Sequence, residues 1–132
     1  MKTTILAKIL TIFLFLSLIT LHPGLGFALE ISPQAINLGD IPKNKVIKRE
    51  IQIKNDEPQL IILQKARSSC DCVTIEYEKG RQLKENEIYK ISLSLNTAEL
   101  SEGKLKKFIF LYFKNAKNPI YSLELSGNIQ SF

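Results

Sequence analysis

Apolar and polar residues alternate along most of the chain after residue 28, with the period of two that half-buried β-strands show. Residues 46–54 and 88–96 alternate most clearly, and turn-forming residues such as Asn55, Asp56 and Pro58 separate these segments. Further strands are predicted in residues 60–66, 73–77, 105–113 and 120–129, and residues 29–41 are predicted to form a short strand and a turn. About seven short strands without a helical period predict an all-β fold, an antiparallel β-sandwich of immunoglobulin type.

One predicted strand differs from the others because both of its faces are apolar. In residues 105–113 one face holds Phe108, Phe110 and Tyr112, and the other holds Ile109, Leu111 and Phe113. A strand that is apolar on both faces is typical of the interior of a sheet, so this segment is predicted to be a central strand. Arg49 interrupts the apolar face of residues 46–54 and is predicted to lie near a sheet rim.

The first 28 residues have the layout of a secretory signal peptide. A mostly apolar run at residues 9–21 follows two lysines, and Gly26-Phe27-Ala28 places small residues at a potential cleavage site. The run is short for a membrane span, which needs roughly 20 apolar residues; an uncleaved anchor is the alternative. Cleavage after Ala28 leaves one domain, residues 29–132, in the periplasm or secreted. Its contact with the membrane would be transient, through the signal peptide alone.

Charge and composition narrow the function classes. The net charge is +5, and removal of a segment with two lysines and no acid leaves about +3. No basic residues are concentrated in one run, so nucleic acid is not a predicted partner. The single histidine, His22, lies in the predicted signal peptide. This excludes histidine-based catalysis and histidine metal sites from residues 29–132, and no enzymatic activity is predicted.

The two cysteines, Cys70 and Cys72, form the most distinctive chemical motif, and three roles stay open. A disulfide between them requires a turn or bulge at Asp71, because residues i and i+2 of a regular strand lie about 6.6 Å apart. Two thiolates could instead bind Cu(I) or zinc, with Asp71 as a further ligand. The cysteines could also pack as small apolar residues. The negative charge of Asp71 disfavours the thiolate form and therefore a dithiol oxidoreductase.

Four short motifs follow one another along residues 38–119. They are Leu38-Gly39-Asp40-Ile41, Lys54-Asn55-Asp56, Ser69-Cys70-Asp71-Cys72-Val73 and the loop from Asn115 to Pro119. With these motifs the chain resembles a family of bacterial secreted immunoglobulin-like domains of unknown function, related to the hydin and major sperm protein domains. In that family Gly commonly separates the cysteines and Thr follows them, whereas here Asp71 and Val73 stand there and Thr74 comes one place later. The resemblance implies the fold and an exported location, and no settled activity.

The leading hypothesis is a non-enzymatic exported module, without a cofactor, that binds a protein partner or scaffolds an assembly in the cell envelope. An open edge of the sandwich offers strand addition as one binding mode. The alternative is a dithiol redox or soft-metal protein that uses Cys70 and Cys72, with Asp71 between them. The flanks of that motif are Ser69, Val73 and Thr74.

Overall fold

The computed structural model describes residues 3–9, residue 26 and residues 28–132. Residues 3–9 form a short helix, and within the described ranges no helix is long and apolar enough to cross a membrane. The apolar run at residues 9–21 lies, apart from residue 9, outside the described residues, as does Phe27 of the potential cleavage site. The signal peptide therefore stays a prediction.

Two β-sheets form a sandwich from residues 28–132. The strands in chain order are β1 (Leu29–Ser32), β2 (Ala35–Pro42), β3 (Val46–Asn55), β4 (Ile61–Ser68), β5 (Val73–Glu76), β6 (Arg81–Leu83), β7 (Ile88–Asn96), β8 (Gly103–Lys114) and β9 (Ile120–Gln130). The four-stranded sheet has the order β1-β3-β7-β5, and the five-stranded sheet has the order β2-β9-β8-β4-β6. The predicted all-β sandwich is confirmed.

The structure divides two segments differently from the alternation pattern. Residues 29–41 break near Pro33 into β1 and β2, which belong to different sheets. Proline has no N–H to donate to a strand ladder, which favours a break there. Strand β6 lies between residues 77 and 88, where no strand was predicted, because its three residues are too few to show a period of two. One pairing also departs from the antiparallel arrangement, because β2 runs parallel to β9.

The core lies between the two sheets and consists mainly of isoleucine and leucine. Its largest fully buried side chains are Ile41, Ile51, Ile53, Ile61, Leu63, Leu83, Ile91, Leu93, Leu95, Ile109, Leu111 and Leu123. Strand β8 lies third in the five-stranded sheet, so the prediction of a central strand is confirmed. Arg49, which was predicted to lie near a sheet rim, is exposed and lies near the start of β3. Because β8 is a central strand, its inward side chains lie in the core and its outward side chains lie on the outer surface of the sheet.

A buried polar network closes one end of the sandwich at the turn predicted after β3. Asn55 is fully buried, and its Nδ2 donates hydrogen bonds to the carbonyl oxygens of Gln59 (2.9 Å) and Leu83 (3.0 Å). The N–H of Glu57 donates to Asn55 Oδ1 (2.9 Å), and both carboxylate oxygens of buried Glu57 accept from the N–H of Lys117 (3.0 Å). These bonds satisfy polar groups that would otherwise be costly to bury. They fix three loops against one another.

Candidate functional site

The cysteine motif is the corner at which the chain passes from one sheet to the other. Strand β4 ends at Ser68 in the five-stranded sheet, and β5 begins at Val73 in the four-stranded sheet. The N–H of Ser69 donates to the carbonyl oxygen of Phe108 (2.9 Å), while Ser69 Oγ accepts from the N–H of Phe108 (2.9 Å). The carbonyl oxygen of Cys72 accepts from the N–H of Asn96 (2.9 Å). The corner is thus hydrogen-bonded to both sheets.

Cys70 and Cys72 form a disulfide within this corner. Their Cα atoms are 5.2 Å apart, closer than the spacing of about 6.6 Å in an extended strand, because the backbone turns at Asp71. Both cysteines are half-buried and pack against the core, so the disulfide and packing roles occur together. The N–H of Cys70 also donates to Ser68 Oγ (3.2 Å). Of the flanking residues, Val73 is buried at the start of β5, whereas Thr74 and Asp71 are exposed.

A redox or soft-metal role gains no support from this arrangement. Both sulfurs are bonded to each other, which leaves neither as the thiolate that Cu(I) or zinc would bind. Across the part of the chain that the structure describes, no three His, Cys, Asp or Glu residues are grouped to hold a metal ion. The geometry instead fits a covalent brace at the corner between the sheets.

A second feature is a row of aromatic side chains on the outer face of β8. We call Phe108, Phe110 and Tyr112 the aromatic row; they alternate with the buried residues of the same strand, and the rings of Phe108 and Phe110 lie 6.4 Å apart. The guanidinium of Arg67, from β4, lies over the rings of Phe110 (5.8 Å) and Tyr112 (5.7 Å). The ammonium of Lys106 lies 5.7 Å from the centre of the Phe108 ring. Each contact is a cation–π arrangement.

Sequence reasoning found the aromatic face of β8 but not its basic partners. Arg67 and Phe110 are far apart in the sequence and become neighbours only through the pairing of β4 with β8. Ile120 also reaches the aromatic row only through strand pairing. Its register with Tyr112 places it beside the row, where it is 57% exposed. The alternation within each segment indicates which face of the sheet a side chain lies on. Which residues of other strands lie beside it depends on the strand order.

The profile of the family described as "Protein of unknown function (DUF1573)" matches residues 29–129. The chain belongs to this family. The match spans nearly the whole sandwich and includes both the cysteine corner and the aromatic row. It confirms the resemblance to immunoglobulin-like domains of unknown function. A search of curated proteins found no match.

Solved structures place this DUF1573 domain among immunoglobulin-like folds. A protein of unknown function from Porphyromonas gingivalis aligns with a TM-score of 0.65 and 13% identity, over 76% of this chain and 46% of that one. The PapD-like domain 7 of human CEP192 aligns with a TM-score of 0.64 and 12% identity, over 80% and 87%. A major sperm protein family member from C. elegans aligns with a TM-score of 0.52 and 10% identity, over 75% and 96%. At these identities the similarity is one of fold, and this chain spans less than half of the Porphyromonas protein.

Edge strands of the DUF1573 domain are short or interrupted. Strands β1 and β5 have four residues each, and β6 has three. Strand β2 is longer, but its register shifts between Asn37 and Asp40, where Gly39 has a φ of 66°. Such features discourage another chain from pairing with an edge. They weigh against strand addition at these edge strands.

A charged cluster braces the loop around β6. The Nη2 atom of Arg81 lies 2.7 Å from Glu87 Oε1, and the guanidinium lies 5.3 Å from the centre of the Tyr89 ring. The N–H of Lys84 donates to Glu87 Oε2 (2.9 Å). This backbone hydrogen bond, followed by the one from Arg81, lowers the pKa of the Glu87 carboxyl below its ordinary value of 4.5. These contacts brace the connection between β5 and β7, which contains β6.

The disulfide should contribute modestly to stability. Its loop joins residues two apart, and the loop-entropy relation for so small a loop gives about 1.5 kcal/mol. We expect the double substitution Cys70→Ser and Cys72→Ser to lower the free energy of unfolding by about 1–2 kcal/mol and leave the sandwich folded. Urea unfolding followed by circular dichroism measures this, with the reduced wild-type protein as control. Loss of the folded baseline in the double variant would show that the corner is essential for folding.

The Glu87 cluster should make stability depend on acid pH. Because the pKa of Glu87 is lower in the folded chain than in the unfolded chain, its stabilisation is complete above the unfolded pKa and is lost as the pH falls through the folded pKa. We expect the unfolding temperature to decrease as the pH is lowered past about 4.5, and to decrease less steeply in Glu87→Gln than in wild type. Glu85→Gln, an exposed change in the same loop, should keep the wild-type slope. Equal slopes in Glu87→Gln and wild type would contradict the assignment.

Proposed function

We propose that this DUF1573 domain is an exported, non-enzymatic module that binds another protein in the cell envelope or scaffolds an assembly there. The observation that carries the proposal is the aromatic row with its flanking cations, on the central strand of the five-stranded sheet. Aromatic residues and arginine are enriched at protein interfaces and supply most of their binding energy. The cysteine corner serves this surface by holding β4 and β8 in place.

Export is supported by two independent features. The layout of residues 1–28 is that of a signal peptide. The disulfide between Cys70 and Cys72 suits an oxidising compartment such as the periplasm or the extracellular space. Together they favour a mature chain that functions outside the cytoplasm, with residues 29–132 as its working part.

The mature protein should begin at Leu29 and carry no free thiol. We expect the intact mass of protein purified from the envelope without reductant to match residues 29–132 less two hydrogens. Alkylation before reduction should leave that mass unchanged, and alkylation after reduction should label both cysteines. A full-length mass would count against export by a cleaved signal peptide. Two alkylations without reduction would show free thiols in the native protein and contradict the disulfide.

Protein binding should be detectable by site-specific photo-crosslinking in cells. Ser122, on β9 opposite Phe110, and Gln52, on the outer face of the other sheet, are both exposed and are suitable positions for the photoreactive residue. We expect crosslinks to a defined protein from position 122 and few from position 52. The purified wild-type protein should show no turnover in a thiol–disulfide exchange assay. Absence of protein crosslinks from both positions would overturn the proposal, and turnover in the exchange assay would contradict its non-enzymatic character.

A further inference from the structure

We propose that the outer face of the five-stranded sheet binds an acidic segment of a partner protein, an inference that rests on the proposed function. We define this basic–aromatic face by its outward residues. Its apolar centre is the aromatic row with Ile120, and its cations are Lys65, Arg67, Lys104, Lys106 and Lys114. The apolar centre and basic rim together match the anatomy of a protein interface whose partner is negatively charged.

The charge of this face is unbalanced. Its outward acids among the described strand residues are Asp40 and Glu124, so five cations and two acids give a net charge of +3. The opposite sheet presents Lys48, Lys54 and Lys90 with Glu30, Glu50 and Glu76, which sum to zero, and no aromatic residue faces outward on its strands. The excess positive charge and the outward aromatic residues therefore occur on the same face of the sandwich. Complementarity therefore calls for an anionic partner.

The aromatic rings are not free platforms for stacking bases or sugars. The guanidinium of Arg67 lies over the rings of Phe110 and Tyr112, and the ammonium of Lys106 lies over that of Phe108. Recognition of single-stranded nucleic acid depends on open ring faces. Phe108, which is 37% exposed, and Ile120 remain available for aliphatic side chains of a peptide. Its carboxylates would then pair with the cations around the row.

A second copy of this chain and a lipid surface fit less well. Two copies meeting at this face would place like charges together, which opposes association. Lys106 is already paired with Glu124 at 2.8 Å. The strand register places Lys65 and Arg67 beside Tyr112 and Phe110, so the cations lie along the sheet around the aromatic row rather than in one dense cluster. Dense clusters of four to eight basic residues are the usual mark of binding to anionic lipid. The distribution therefore favours an acidic protein segment.

The direct test is fluorescence anisotropy of the purified protein with a labelled peptide of about twelve residues, the length of β8, in which glutamates alternate with leucine and serine. The same peptide with glutamine in place of glutamate is the neutral probe. We expect the acidic peptide to bind at least about tenfold more tightly than the neutral one at low salt, and more weakly as salt increases. Amide shifts in a nuclear magnetic resonance titration should concentrate on β8, β9 and β4. Equal binding of both peptides, or shifts confined to the opposite sheet, would overturn the inference.

A matched pair of charge reversals separates this face from a general charge effect. Lys65→Glu lies beside the aromatic row, and Lys48→Glu makes the same change on the opposite sheet, where the side chain is also exposed. We expect Lys65→Glu to weaken binding of the acidic peptide about fivefold or more, and Lys48→Glu to change it less than about twofold. Phe108→Ser should weaken binding at every salt concentration, since it removes apolar contact. Equal loss in the two lysine variants would contradict a face-specific site.

Other occupants are further outcomes of the same experiment. Binding of oligothymidylate, or of vesicles containing phosphatidylglycerol, in place of the acidic peptide would overturn the inference in favour of nucleic acid or lipid. Lysine-dependent dimerisation in sedimentation would do so in favour of a second copy. Failure here is distinguishable from failure of the proposed function. Protein crosslinks that persist in Lys65→Glu, or that arise from position 52 alone, would retain protein binding and reject this surface, whereas absence of all protein crosslinks would reject both.

Discussion

Strand β8 is hydrogen-bonded along both edges, to β9 and to β4, and every side chain in it must point either into the core or out of the sheet. Ile109, Leu111 and Phe113 take the inward positions, where they meet the opposing sheet. The outward positions cannot be buried in the same way, because no strand or helix of the described sandwich covers that face. The aromatic row is therefore a direct consequence of making the central strand apolar on both sides.

The cysteine corner follows from the same two-layer arrangement. A chain that leaves one sheet at Ser68 and enters the other at Val73 has only four residues in which to cross. Hydrogen bonds from Ser69 and to Cys72 fix the two ends of the crossing, and the disulfide closes the turn between them. Since a loop this small removes little entropy from the unfolded chain, the value of the bond is local: it holds one backbone geometry at the point where the sheets meet.

Much of this fold is legible in the sequence, and the gaps have physical causes. The alternation in β3, β7 and β8 defines which face of each strand is buried, and an extended backbone at Cys70 and Cys72 could not have joined their sulfurs, so a turn at Asp71 was required for a disulfide. The alternation of apolar and polar residues within a strand does not indicate which strands lie beside it. The parallel pairing of β2 with β9 and the position of Arg67 over Phe110 depend on strand order, which no local pattern encodes.

The contrast between the sheet edges and the outer face of the five-stranded sheet bears on how the proposed binding module would limit contact between its own copies. Short or bulged edge strands discourage pairing with another chain, which is a common route to aggregation of a sandwich. An exposed apolar row would bring a similar hazard, but Arg67 and Lys106 lie over its rings, and their charge opposes contact between copies. The proposed acidic segment would reverse this balance, because its carboxylates would pair with the cations that oppose contact between copies. Under the proposed function, the same side chains would both protect the surface and select what binds to it.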